Sequence, residues 1–298
     1  MKIVSRPYEK VGDFNRVMSF LRETFTETGS LHNWLPPRFE GSSDQMASGT
    51  RLWEEVEGAS PRIVGIANPE SKFVYFIQIH PDYSYLEGEL IDWIIEHSKS
   101  TKPENEVFKV SIVALEDNPM RESALQMRGF ERGPIYGILR VRPINDPIPD
   151  YILPEGYRIR SVNPEDFEEI AAGIRKVFGH GEWFTGRTLE NTAKASFYVE
   201  DLDLVVVAPD GSIVSFCTFR VDPESRITEL EPMGTLPDYR RKGLAKALLA
   251  EGFRRLKTYN PTLLYIGGAA DTPEANRLYT VTGFNERYDY YYWYKTIA

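Results

Sequence analysis

The chain carries one pattern twice, so any fold it adopts has to accommodate two copies of the same unit. His80-Pro81-Asp82-Tyr83 and Leu236-Pro237-Asp238-Tyr239 each follow a strand-like run and lead into a helix-like one, at an offset of 156 (236 minus 80). Farther on, Asp117-Asn118-Pro119 with Gly129-Phe130 matches Asp271-Thr272-Pro273 with Gly283-Phe284 at an offset of 154 (271 minus 117). Upstream, Arg6-Pro7-Tyr8 with Asp13-Phe14 resembles Arg160-Ser161-Val162 with Asp166-Phe167, each leading into an amphipathic helix pattern. Between the copies, Pro143, Pro147, Pro149 and Pro154 remove backbone donors and restrict φ, so residues 143–154 read as a semi-rigid linker. The boundary is expected near residue 150, with domains 1–149 and 150–298. A length of 298 residues suits two domains of ordinary size.

In the second copy, Leu204–Ala208 and Ile213–Arg220 read as strands joined by the turn Pro209-Asp210-Gly211. Ile227–Thr235 is a further strand, Leu244, Ala247, Leu248 and Leu256 mark one face of a helix, and Thr262–Ile266 is a short buried strand. Pro273 suits a helix start, Gly283 its C-terminal cap, and Tyr288–Tyr294 an aromatic last strand. The expected class is α/β: two tandem domains, each a mixed, mostly antiparallel sheet flanked by helices.

Composition narrows the function. With 42% hydrophobic and 13% aromatic residues, both halves have the apolar surface to fold. A net charge of -9 disfavours nucleic acid as a partner and is compatible with a cationic substrate such as an amine. The single cysteine, Cys217, lies in a strand-like run and reads as a small hydrophobe. His80 and His97 show no metal-ligand spacing, and no metal is expected. Neither a signal-peptide core nor a membrane-length apolar segment is found, so a cytoplasmic protein with no membrane partner is expected.

The chemistry-bearing motif is Arg240-Arg241-Lys242-Gly243-Leu244-Ala245-Lys246, between a strand and a helix. Gly243 lets the backbone approach a ligand, the first helical N–H groups carry the positive end of the helix dipole, and four cationic side chains add charge. Such a loop suits a diphosphate. The run GTLPDYRRKGLAKALL resembles the acyl-CoA pyrophosphate loop, Q/R-x-x-G-x-G/A, of the GCN5-related N-acetyltransferase (GNAT) superfamily. Ala275-Asn276-Arg277-Leu278-Tyr279 with Gly283-Phe284 resembles that family's A-x-x-L-Y-x-x-x-G-F segment. The duplicated layout resembles tandem members of the mycothiol synthase type.

The resemblance implies transfer of an acetyl group from acetyl-CoA, as co-substrate, directly to a small-molecule or peptide amine. It assigns the diphosphate to Arg240, Arg241, Lys242, Gly243, Leu244, Ala245 and Lys246, with Asn276 as a further cofactor contact. Backbone groups of Met233, Gly234 and Thr235 would pair with the pantetheine arm and polarise the thioester. Pro232, which cannot donate to a ladder, marks where pairing is interrupted. Tyr279 is the candidate general acid, protonated at neutral pH. Glu229 and Glu231, two apart and expected on one strand face, are both candidates for the base. Thr272 stands where many relatives have Asn, and Gly267 where some have an alternative glutamate base.

In the first copy Ser84, Leu86 and Glu87 replace Arg240, Lys242 and Gly243, and Leu125 replaces Tyr279. That domain is expected to keep the fold without the chemistry, walling the acceptor site. His180, Trp183 and Phe184 are candidates for acceptor contact, while His32, Trp34 and the aromatics from Tyr288 to Tyr294 read chiefly as packing. The alternative to catalysis is a non-catalytic acyl-CoA-binding or scaffold protein; a hydroxyl acceptor or longer acyl donor is a further variant.

Overall fold

The structure, a computed structural model, describes residues 2–46, 48–58, 60–101 and 107–297. The first copy runs β1 (Ile3–Pro7), α1 (Lys10–Thr28), α2 (Pro36–Met46), β2 (Arg51–Glu55), β3 (Arg62–Ser71), β4 (Val74–Ile79), α3 (Glu87–Thr101), β5 (Phe108–Leu115), α4 (Pro119–Met127) and β6 (Glu131–Arg142). The second repeats that order: β7 (Arg158–Ser161), α5 (Phe167–Phe178), α6 (Gly186–Thr192), β8 (Asp203–Val207), β9 (Ile213–Val221), β10 (Ile227–Thr235), α7 (Leu244–Leu256), β11 (Leu263–Ala269), α8 (Pro273–Val281) and β12 (Glu286–Ile297). Both Pro-Asp-Tyr segments form 3-10 turns, Pro81–Leu86 and Pro237–Tyr239. The upstream match also has a structural cause, because Arg6 donates to Asp13 at 2.6 Å and Arg160 donates to Asp166 at 2.5 Å.

The chain divides into two compact units, Met1–Ile138 with Tyr288–Ala298, and Leu139–Arg287. This differs from a single cut near residue 150, and the last strands explain it. Unit 1 has the order β1-β2-β3-β4-β5-β12: β12 pairs antiparallel with β5 from Tyr290↔Leu115 to Ile297↔Phe108. Trp293 and Ile297 are buried there with Trp53, Ile77, Leu90 and Ile112. Burying such a side chain stabilises by about 1.5–3 kcal/mol, so the Tyr-rich strand is a core element of unit 1 rather than the edge of the second copy. Unit 2 in turn takes the end of β6, giving β6-β11-β10-β9-β8-β7. Arg140 donates to the Phe284 carbonyl at 3.1 Å and Arg142 to that of Thr282 at 3.1 Å, placing cations where the carbonyls at the end of α8 favour them.

The expected linker also belongs to unit 2. Arg142 donates to the carbonyls of Asp146 and Pro147, each at 3.0 Å, and the Tyr151 hydroxyl donates to that of Val281 at 2.8 Å. One face of the unit 2 sheet packs Phe216, Val205 and Val207 against Phe167, Ile170 and Ile174 of α5. On α7, Phe253 meets Phe219 edge-to-face at 5.9 Å, and helix and strand lie so close that a Cβ at Gly252 would stand 2.2 Å from the Phe219 ring. Among the described residues no helix is long and apolar enough to cross a membrane.

Candidate functional site

The parallel ladder between β10 and β11 covers only Ile227↔Leu263, Thr228↔Leu264 and Glu229↔Tyr265, although the strands continue to Thr235 and Ala269. Beyond Glu229 they part. On the other side of β10 the pairing with β9 slips between Leu230 and Met233, a bulge containing Pro232, which has no N–H to offer a ladder. The Leu236 N–H donates to Val214 of β9 at 2.9 Å. Alternation along a strand then turns the N–H groups of Thr235 and Met233 toward the gap left by β11, and that of Gly234 toward β9. Gly234 has a packing role instead, since a Cβ there would fall 2.4 Å from the Phe216 ring.

The strand leads into the basic loop. Arg240 donates to the Thr235 carbonyl at 3.2 Å, and Arg241 and Gly243 both adopt left-handed conformations, with φ 65 and 81. That conformation is costly for a non-glycine residue, and together the two turn the chain so that α7 starts afresh at Leu244. A Cβ built on Gly243 would meet nothing within 4 Å, so the space in front of the helix is open. No side chain caps α7 and no acidic residue lies in its first turn. The leading N–H groups and the positive dipole end are therefore left for an external anion. Arg240, Arg241 and Lys242 are exposed around them; the Lys242 ammonium lies 4.8 Å from the Tyr239 ring centroid, and that of Lys246 5.5 Å from Tyr151.

Tyr279 lies on α8, whose start is capped by Thr272 accepting from the Ala275 N–H at 3.2 Å; the residue that departs from the family pattern thus serves as a helix cap. The Tyr279 ring is buried against Phe284, edge-to-face at 5.8 Å. Burial pushes its pKa well above the ordinary phenol value, the Glu231 charge pushes it further, and Arg140 opposes them. The phenol is therefore a proton carrier at neutral pH. The bulge separates the two glutamates that spacing placed on one face. Half-buried Glu231 is the carboxylate whose charge reaches Tyr279, whereas buried Glu229 faces Arg220, 3.6 Å away. Arg220 lies in turn over the Phe197 ring at 5.2 Å.

Asn276 is held by protein groups: it accepts from Arg140 at 2.6 Å and donates to Asp271 at 2.8 Å. Arg140, beside both Tyr279 and Asn276, is a candidate site residue that sequence reasoning missed, because it lies in β6, the last strand of the first copy, whose end belongs to unit 2. Near the α5–α6 connection His180 stacks on Phe184 at 5.2 Å, and Trp183 is 67% exposed. Cys217 is fully buried, with its thiol pKa raised by burial.

Residues 171–284 match the family model described as Acetyltransferase (GNAT) family. This stretch of unit 2 is a GNAT domain. A mycothiol acetyltransferase of Streptomyces coelicolor is 31% identical over 143 residues, 46% of this chain and 45% of that protein. One from Thermobispora bispora is 29% identical over 157 residues, 48% of this chain and 51% of that protein. The chain thus spans about half the length of the curated relatives it matches. Among solved structures, a GCN5-related N-acetyltransferase from Sphaerobacter thermophilus has a TM-score of 0.68 at 18% identity, covering 99% of this chain and 95% of that one. A tandem GNAT protein from the clavulanic acid biosynthesis pathway has 0.66 at 12%, covering 99% and 98%. At these identities the likeness is one of fold.

Unit 1 shows the equivalent loop in a closed form. Its 3-10 turn runs on into α3, with the Glu87 N–H bonded to the Ser84 carbonyl, and Glu87 is right-handed, with φ -46. The Glu87 carboxylate is buried against Arg121 of α4 at 2.9 Å. Leu125, at the position of Tyr279, is fully buried. His32 has its pKa pushed down to about 4, by burial first and the Arg121 charge second. Trp34 lies under the Arg38 guanidinium at 4.8 Å, and His97 is stacked on Trp93 at 4.8 Å.

Proposed function

We propose that unit 2 uses acetyl-CoA to acetylate a primary amine of a small molecule or peptide, and that unit 1 takes no direct part in the chemistry. The observation that carries this reading is the open, uncapped start of α7 beside the parted strands β10 and β11, with Tyr279 and Glu231 close in the same unit. The residues present fit acetyl-CoA: exposed cations and free N–H groups for the diphosphate, and the gap-facing N–H groups of Met233 and Thr235 for the amide-bearing arm.

In this reading the amine nitrogen bonds to the thioester carbonyl carbon and the carbon–sulfur bond breaks. Glu231 receives the amine proton, directly or through water, and Tyr279 gives its proton to the departing thiolate. Of the two glutamates we assign the base to Glu231, because Glu229 is engaged with Arg220. Mycothiol acetyltransferase relatives and tandem GNAT neighbours support acetyl transfer as the reaction class.

The test is release of free CoA thiol from acetyl-CoA on addition of a panel of primary amines, with mass spectrometry of the product. An acceptor-dependent thiol signal, with a product one acetyl group heavier, supports the proposal. Tight acetyl-CoA binding with no transfer to any amine would favour the acyl-CoA-binding alternative.

A further inference from the structure

At the end of α7 remote from the loop, unit 2 has a pocket open to solvent, with a volume of about 550 Å³. The helix begins at Leu244 beside the basic loop and ends at Leu256, a cavity residue, about 18 Å farther on at 1.5 Å per residue. The cavity is therefore separate from the candidate acetyl-transfer site.

Its wall has two characters. Ile144 and Ile148 from the proline-rich stretch face Phe253, Leu256, Pro261 and Leu264 to make an apolar half. The charged members are Arg142, Arg226 and Lys257, and no carboxylate lines the cavity, in a chain whose net charge is -9. Arg142 is fixed, donating to the carbonyls of Thr282, Pro143, Asp146 and Pro147 and lying over the Phe253 ring at 4.4 Å. It supplies positive potential without a free donor for each acceptor. Arg226 and Lys257 are exposed at the rim, with no carboxylate partner among the described residues. The carbonyl end of α7 alone would favour a cation. Three cationic side chains reverse that balance.

We propose that this cavity binds a small amphipathic anion, an apolar body of roughly ten carbons ending in one carboxylate, sulfonate or phosphate, in keeping with the size and mixed lining of small-molecule sites. The apolar body lies against Ile144, Ile148, Phe253 and Leu256, and the head is met by Arg226 and Lys257.

The test titrates decanoate calorimetrically into the intact protein, alone and with saturating acetyl-CoA, and repeats it with decyltrimethylammonium, which has the same tail, the opposite charge and no N–H to acetylate. Decanoate should bind at one site per chain, unaffected by acetyl-CoA, and decyltrimethylammonium should bind at least tenfold more weakly. Reversing both rim charges, Arg226→Glu with Lys257→Glu, should weaken decanoate roughly tenfold. Ile148→Trp should weaken it by filling the apolar half, and it serves as the second variant if the charge reversal fails to fold by circular dichroism. Equal binding of decyltrimethylammonium, displacement by acetyl-CoA, or decanoate affinity unchanged in both variants would overturn the proposal.

Discussion

Substituting Gly243 separates charge from shape at the loop. The residue is left-handed at φ 81, and a Cβ there meets nothing within 4 Å, so neither Asn nor Asp clashes. Asn and Asp both tolerate the left-handed region better than other side chains, and their shapes are nearly identical, so their steric penalties should match, while the Asp charge at the positive start of α7 should favour its folded state by about 0.3–1 kcal/mol. They differ in charge alone. One negative charge about 5 Å from a phosphate oxygen, at an effective dielectric of about 20, is worth about 3 kcal/mol. Exposure of the loop and salt at physiological strength reduce that to about half, a loss of roughly tenfold in affinity. Gly243→Asp should thus bind acetyl-CoA roughly tenfold more weakly than Gly243→Asn, with the gap narrowing at high salt. Calorimetric titration of both variants, paired with their melting temperatures, reads each quantity. Equal affinities would show that no anion sits in front of α7, and the assignment of the loop would fall.

Tyr279→Phe keeps the ring that packs on Phe284 and removes only the hydroxyl, so kcat should fall roughly 10- to 100-fold with acetyl-CoA affinity unchanged; unchanged kcat would remove Tyr279 from the mechanism. Glu231→Gln should lower kcat/KM roughly 100-fold with acetyl-CoA affinity unchanged, whereas Glu229→Gln should act mainly on melting temperature through Arg220; the reverse pattern would exchange their roles. In the Asp203 carboxyl, burial pushes the pKa up to about 6 although the Thr218 and Tyr198 hydroxyls donate to it. The folded state therefore holds this proton more tightly than the unfolded chain. Its contribution to stability is complete below about pH 4 and lost as pH rises through about 6, so Asp203→Asn should gain on the wild type by about 2 kcal/mol across that window in denaturant unfolding. A constant difference from pH 4 to 7 would refute it. Glu87→Gln leaves Arg121 charged in a buried site and should cost about 3–5 kcal/mol in unfolding free energy, without altering acetyl-CoA stoichiometry.

Much of unit 2 was legible because its signals are local. Period and turn chemistry place β10 at Ile227–Thr235 and α7 at Leu244–Leu256, and Pro273 with Gly283 bracket α8. What was not legible depends on contacts far apart in sequence. Alternation marks Tyr288–Tyr294 as a strand but says nothing of which sheet receives it, and the strand pairs with β5. Arg140 was invisible for the same reason. The different surroundings of Glu229 and Glu231 were not legible for a local reason, since spacing of two means one face only in a regular strand, and the strand is bulged at Pro232.

The difference between the units is more than a loss of charge. In unit 2 the 3-10 turn ends at Tyr239, and left-handed Arg241 and Gly243 interrupt the helical path before α7 begins, which leaves the leading N–H groups without partners inside the chain. In unit 1 the equivalent segment is no shorter, but no left-handed residue interrupts it, and the 3-10 turn hands its carbonyls to the first amides of α3. There the Glu87 N–H is bonded to the Ser84 carbonyl, and the Glu87 carboxylate is paired with Arg121. Restoring basic side chains to unit 1 would add charge to a helix start with no free donors to offer. What distinguishes the two copies is therefore backbone conformation at two loop positions, with side-chain chemistry following from it.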